Sequence, residues 1–168
     1  MLVYRVEMES GEGVYTGGAM LGFTGDMGNR ADRSQAEIEA AHPGPEDDEG
    51  LSAWWEGPWK NWSSKKADWH YRGRTKFFCG FRDEAQMLEW FDAPGMARMA
   101  QRDAEMLQRA QERGRPHSSM VVSTYEVHGR NVRKGARQVM FRRDLAKLVQ
   151  RVPLSHYAGE APGDQLPA

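Results

Sequence analysis

Four short segments of the chain carry the apolar spacing of β-strands. Residues 2–8, which include VYRVEM, alternate as a half-buried strand does, with Val3 and Val6 among the apolar members. FFCGF at 77–81 is an apolar run that breaks at Gly80. MVVSTYEV at 120–127 is β-branched and ends in Tyr125-Glu126-Val127, and RQVMF at 137–141 follows it across HGRNVRKGA, a spacing that suits a loose hairpin. Helical periods lie between and after these strands. Asp83 can cap a helix over EAQMLEWF, with Gln86 completing a capping box, and Pro94-Gly95 is expected to stop it. A second helix over 96–113 shows Met96, Met99, Ala100, Met106, Leu107 and Ala110 at helical spacing, with Asp103 alone breaking the stripe; Gly114 and Pro116 close it. Residues 144–151 read as a short amphipathic helix with Leu145, Leu148 and Val149 on one side. The expected class is α+β, a small mixed or antiparallel sheet with two to four helices.

The remaining stretches interrupt this plan. Five glycines from Gly17 to Gly28 predict turns or a short hairpin. Ser34 and Glu37 suggest a capped helix over 34–41, ended by His42-Pro43, and PGPEDDEG is a loop by composition. Residues 24–70 as a whole read as a long irregular insertion, acidic at first and then rich in tryptophan. The expected organisation is one domain over 1–157 and a disordered tail over 158–168.

Composition narrows the setting. No apolar run approaches the length needed to span a bilayer, and the N-terminus reads as a strand rather than a signal peptide. One cysteine, Cys79, forbids an internal disulfide, so a reducing, cytoplasmic setting is the expectation. The net charge of −1 conceals a polarised chain. Residues 1–56 hold twelve acids and three bases, and residues 57–168 hold twelve acids and twenty bases. Such asymmetry either marks a surface for nucleic acid or a charged protein, or is neutralised internally when the two parts fold together.

Few residues point to chemistry directly. The glycine-rich segment lacks the lysine and the following helix of a phosphate loop. The five histidines have no metal-ligand spacing, so no metal site is expected. Cys79, in an apolar strand, reads as a packed thiol. The tryptophans are the stronger signal: five of six fall within residues 54–69, interleaved with or followed by lysines and arginines. That mixture can stack bases while attracting phosphates, and it can anchor a protein partner. The macromolecule-binding candidates are therefore Trp54, Trp55, Trp59, Lys60, Trp62, Arg72 and Arg74.

The order VYRVE, then FFCGFRDEAQMLEWF, then VVSTYEV resembles small ADP-ribosyltransferase-like proteins of bacteria and phages. The resemblance implies a nucleotide cleft with NAD as cofactor. In it Arg5 would hold the NAD diphosphate, Phe77 or Phe78 would line the nicotinamide site, and Glu126 or Gln138 would act on the ribose. An oxocarbenium-like transition state calls for such a carboxylate, and a diphosphate calls for a cation. The alternative is a non-catalytic interaction protein, bacterial or phage-encoded and of inhibitor type. It would bind a protein partner or a nucleic acid through its acidic N-terminal third or its Trp/basic segment, and no membrane is expected among its partners.

Overall fold

Strand β1, Leu2–Met8, opens the chain and lies in a three-stranded sheet of order β1-β3-β6, with β3 at Met120–Glu126 and β6 at Lys147–Pro153. A second three-stranded sheet has the order β2-β5-β4, from β2 at Phe77–Gly80, β4 at Val132–Lys134 and β5 at Val139–Arg142. Among the described residues three α-helices accompany the sheets: α1 at Ser52–Glu56, α2 at Glu84–Trp90 and α3 at Ala93–Glu112. The chain is thus α+β. The computed structural model describes residues 1–11, 13, 47–56 and 77–158, without the side chains of Trp55 and Glu56. Its contacts divide the chain into two units.

The first unit draws its described residues from Met1–Arg5, Ser34–Trp90 and Ser123–Gln150. Met1 and Val127 exchange both backbone hydrogen bonds, at 2.7 and 2.9 Å. That reciprocal pair makes β1 and β3 antiparallel, and counting along them sets Val3 opposite Tyr125 and Arg5 opposite Ser123. Residues directly opposite share a face. Val3, Tyr125 and Val127 therefore pack together, with Val132, Val139 and Phe141 of the second sheet completing a buried cluster. β2 and β5 are antiparallel with Phe78 opposite Phe141, and β4 and β5 are antiparallel with Val132 opposite the same Phe141. Phe141 is fully buried.

Gly80 explains the break in the apolar run. Tyr4 and Phe81 exchange both backbone hydrogen bonds at 2.8 Å, which joins β1 to the end of β2. A Cβ on Gly80 would fall 2.7 Å from Val3 Cγ1 and 2.9 Å from the Tyr4 carbonyl oxygen. Only a residue without a side chain permits that approach. The helix after it starts as its capping residues predict: the Gln86 N–H donates to Asp83 Oδ1 at 2.8 Å, and the Gln86 side-chain oxygen accepts from the Arg82 N–H at 2.9 Å.

The second unit draws from Val6–Arg33, Phe91–Val122 and Arg151–Ala168. Asp92 caps α3 by accepting the Gly95 N–H at 2.8 Å. Met96 and Met99 are buried, and Leu154 is buried in a short 3-10 turn, Leu154–His156, packed against α3. Each such burial stabilises by about 1.5–3 kcal/mol. Asp103, the residue that interrupts the methionine stripe, has a structural task. Its Oδ1 lies 2.8 Å from His117 Nε2, and its Oδ2 accepts the Met120 N–H at 3.1 Å. It ties the helix to the approach into β3.

Two predicted elements differ from those observed. Pro94-Gly95 does not stop a helix but sits inside the first turn of α3, where proline's missing N–H has no partner to lose; the break falls at Phe91-Asp92. The amphipathic helix expected over 144–151 is a 3-10 turn, Arg143–Leu145, followed by β6. Here sheet pairing overrides a weak local preference: the segment is short, has no N-cap hydrogen bond and carries β-branched Val149 and Val152. Within the stretch expected to be irregular, residues 52–56 form α1. The helix expected over 34–41 and most of the 24–70 insertion lie outside the described residues, as does the tail after Ala158.

Candidate functional site

The β4–β5 hairpin turns through residues 135–138, and that turn is gripped by a side chain far away in sequence. Asp48 Oδ1 accepts the Ala136 N–H at 2.7 Å, and Oδ2 accepts those of Arg137 and Gln138 at 3.2 and 3.0 Å. Successive backbone N–H groups of this kind form a concave anion seat, and here the seat is filled by the protein's own carboxylate. Asp48 is 1% exposed. Gly135 is required beneath it, because a Cβ there would fall 2.2 Å from Asp48 Oδ1. The Asp48 carbonyl also accepts the N–H groups of Leu51 and Ser52, both at 3.0 Å, and Leu51 is fully buried. Asp48 thereby starts α1 and fixes it to the hairpin.

The consequence is a cation–aromatic cluster. Trp54 of α1 meets Phe77 of β2 with ring centroids 4.9 Å apart and planes tilted by 60°. The Arg133 guanidinium of β4 lies 6.0 Å from the Trp54 ring centroid and 5.8 Å from that of Phe77. All three side chains are half-buried. Arg133 Nη1 donates to the carbonyls of Arg130 and Val132, so the guanidinium is held by its own turn. Its Nε and Nη2 hydrogens have no partner among the described residues.

The surroundings are strongly basic. Residues 129–150 carry seven bases, namely Arg130, Arg133, Lys134, Arg137, Arg142, Arg143 and Lys147, against the single acid Asp144. That acid is engaged already: Arg142 donates to it through Nε and Nη2 at 2.7 and 2.6 Å. Hydrogen bonding to Asp144 raises the Arg142 pKa above its ordinary value; desolvation opposes it, and the Asp144 charge adds a lesser raising effect. Arg130, Lys134, Arg137 and Lys147 are exposed. The hairpin thus presents several cations to solvent, with the Asp48 carboxylate seated in its turn and Asp47 and Glu49 beside it.

Phe78, pointing to the other side of β2 from Phe77, anchors a second cluster. The guanidinium groups of Arg5 and Arg143 lie 5.2 and 5.6 Å from its ring centroid. Arg5 is 6% exposed and donates from Nη1 to the Cys79 carbonyl. Arg143 Nε donates to the Tyr125 hydroxyl at 3.0 Å. Cys79 is half-buried, with its Sγ 3.2 Å from Met140 Sδ.

The sequence candidates therefore separate. Arg5 and Phe78 come together, and Phe77 joins Trp54 in the other cluster. Glu126 is exposed and, next to Tyr125 in β3, points to the face opposite the one shared by Tyr125, Ser123 and Arg5. Gln138 is 2% exposed and sits in the hairpin turn, its carbonyl accepting the Gly135 N–H at 2.9 Å. Trp55 belongs to α1. Trp59, Lys60, Trp62, Arg72 and Arg74 lie outside the described residues. Sequence reasoning missed Asp48 and the hairpin arginines. Asp48 has no local signal, since its partners are some 90 positions away. The hairpin lies in a stretch of seven bases broken by one acid, whose start the sequence suggests as the loop of a hairpin between 120–127 and 137–141. In the structure those strands lie in different sheets, and 137–141 pairs instead with β4.

Among the described residues no group of histidine, cysteine and carboxylate side chains could hold a metal ion, and no helix is long and apolar enough to cross a membrane. No curated protein and no solved structure matches the chain. A family model does, over residues 1–155. Its description is "Bacteriophage T4 Y00F protein", and the chain belongs to that family.

Proposed function

We propose that this phage-family protein is a non-catalytic binding protein whose β4–β5 hairpin engages a nucleic acid. The observation that carries the reading is the charge of residues 129–150, seven bases to one acid, with that acid held by Arg142. A phosphate backbone is the partner such an array fits, because each cation that meets a phosphate releases condensed counterions. Arg133, Lys134 and Arg137 are the residues chosen for the contact. The test is fluorescence anisotropy with a labelled mixed-sequence oligonucleotide pool across about 50–200 mM salt. Affinity is expected to fall steeply and linearly on a log–log plot. Replacing Arg133, Lys134 and Arg137 together by alanine should reduce the slope by about 2–3. Absence of binding, or a flat salt response, overturns the reading and leaves an acidic protein surface as the partner to pursue.

A second reading keeps the ADP-ribosyltransferase-like cleft with NAD as ligand. It draws on the packing of Arg5 against Phe78, the pair that the family resemblance assigned to NAD. It also needs a carboxylate on that side of the sheet, and Glu126 points away. Calorimetry with NAD, followed by an assay for released nicotinamide, decides it. No heat and no nicotinamide would end the transferase reading.

A further inference from the structure

We infer that β6 is a docking edge for an extended segment of a partner protein, one that carries two acids four positions apart with apolar residues between them. The inference does not depend on the hairpin's nucleic-acid reading. β6 ends the order β1-β3-β6, and no described strand lies beyond it. Its neighbour β3 is buried on both faces as far as Tyr125. β6 is the reverse: every residue of Lys147–Pro153 is exposed except Val152, which is half-buried. Packing of its side chains therefore contributes little to the extended form of β6, and the ladder to β3 is what holds it. At the edge of a sheet alternate residues turn their N–H and C=O groups outward, and a peptide laid against them gains main-chain hydrogen bonds.

Charge complementarity selects the occupant. Lys147, Val149 and Arg151 share one face of β6, and Leu148, Gln150 and Val152 share the other. Both cations are exposed, and neither side chain has a hydrogen bond or ion pair among the described residues. No acid occurs from Leu145 to Ala158, and Asp144 just before it is held by Arg142. Opposite charges directly across a ladder attract, and apolar side chains pair with apolar ones. The matching strand therefore sets an acid opposite Lys147, a second opposite Arg151, and apolar residues opposite Leu148 and Val149, which are 41% and 54% exposed. The pattern reads the same in either strand direction. A nucleic acid would satisfy the two cations but offers neither a ladder nor a partner for the apolar pair.

The experiment is an NMR titration of the full, isotope-labelled chain with a short capped peptide whose core is glutamate, valine, valine, threonine, glutamate. Amide shifts should concentrate in 147–153, with slowed exchange at alternate residues there. A form methylated on the backbone nitrogens of both valines keeps the charge and loses the ladder, and should bind at least about tenfold more weakly. A form with lysines for the glutamates keeps the ladder and should also lose about tenfold. Lys147→Glu with Arg151→Glu should reverse the preference between the acidic and basic peptides, and a thermal melt reports whether that variant folds. Should it misfold, the peptide forms decide the matter on the unmodified protein. Equal binding of the methylated form, shifts centred on 132–142, or no binding overturns the inference. So does slow exchange at the outward amides of β6 before any peptide is added, which would mean that a segment of this chain lies there. Concentration-dependent shifts in 147–153 without peptide would likewise overturn it in favour of a second copy. The hairpin reading is tested separately by its oligonucleotides and survives any of these results.

Discussion

Replacing Asp48 by alanine should destabilise the first unit by about 2–4 kcal/mol, and the figure can be assembled from its partners. The Ala136 N–H would keep an acceptor, the Glu49 carbonyl at 2.7 Å. Those of Arg137 and Gln138 would lose theirs, at 3.2 and 3.0 Å. A stranded buried donor costs about 1–3 kcal/mol, which gives about 2–6 for two. Arg137 is exposed, so solvent relieves part of its share and draws the total to the lower half. Asp48→Asn retains one acceptor oxygen and should cost about half as much. Urea unfolding followed by far-UV circular dichroism measures both, with the midpoint falling and the slope unchanged. Because Asp48 also holds the hairpin turn, the alanine variant should lose oligonucleotide affinity in parallel with stability. An alanine variant within about 0.5 kcal/mol of the parent would refute the reasoning, since surface substitutions away from such features stay inside that range.

Three further outcomes follow from the geometry. Gly80→Ala drives a Cβ to within 2.9 Å of the Tyr4 carbonyl oxygen, a backbone atom that cannot rotate away. It should cost about 1–3 kcal/mol and lower the melting temperature by several degrees; an unchanged melt would show that β1 and β2 can part without penalty. Asp103→Ala removes the acceptor of both His117 and the Met120 N–H, and His117 has a side chain only 7% exposed. About 2–3 kcal/mol should be lost, with faster amide exchange at Met120 as the specific sign; exchange at the parent rate would contradict the tie. Asp144→Ala releases Arg142 and should tighten oligonucleotide binding a few-fold while steepening its salt dependence by about 1. The ion pair itself gives no pH dependence in the usual range. A cation whose folded pKa is raised contributes fully below its ordinary value and loses that contribution only as the pH climbs through the raised one. A binding curve that flattens between pH 5 and about 9 must therefore be traced to another group.

What could be read from the chain was whatever is local. The Asp83–Gln86 capping box, the strands at Leu2–Met8 and Met120–Glu126, and the end of the long helix near Gly114 all depend on neighbours within a few positions. The misread helix at 144–151 shows the opposite case. Leu145, Leu148 and Val149 have helical spacing but are exposed, and pairing with the sheet decided the conformation. The candidate site was half legible for the same reason. Trp54 and the bases around it stand out by residue type. Nothing local says that Asp48 will seat itself in a turn 88 positions later and bring Trp54 to Arg133. Gln138 looked like a late-strand polar group and belongs instead to that turn.

The reciprocal bond between Tyr4 and Phe81 also bears on how the protein behaves at high concentration. It engages β1 at Tyr4 on the side away from β3, and β6 forms the other border of that sheet. That border carries Leu148 and Val149 in the open, the composition of a sticky template. Lys147, Arg151 and Pro153 punctuate it: two charges that repel a second copy and one residue with no N–H to offer. Neutralising those two charges would turn a guarded border into a nucleus for polymerisation.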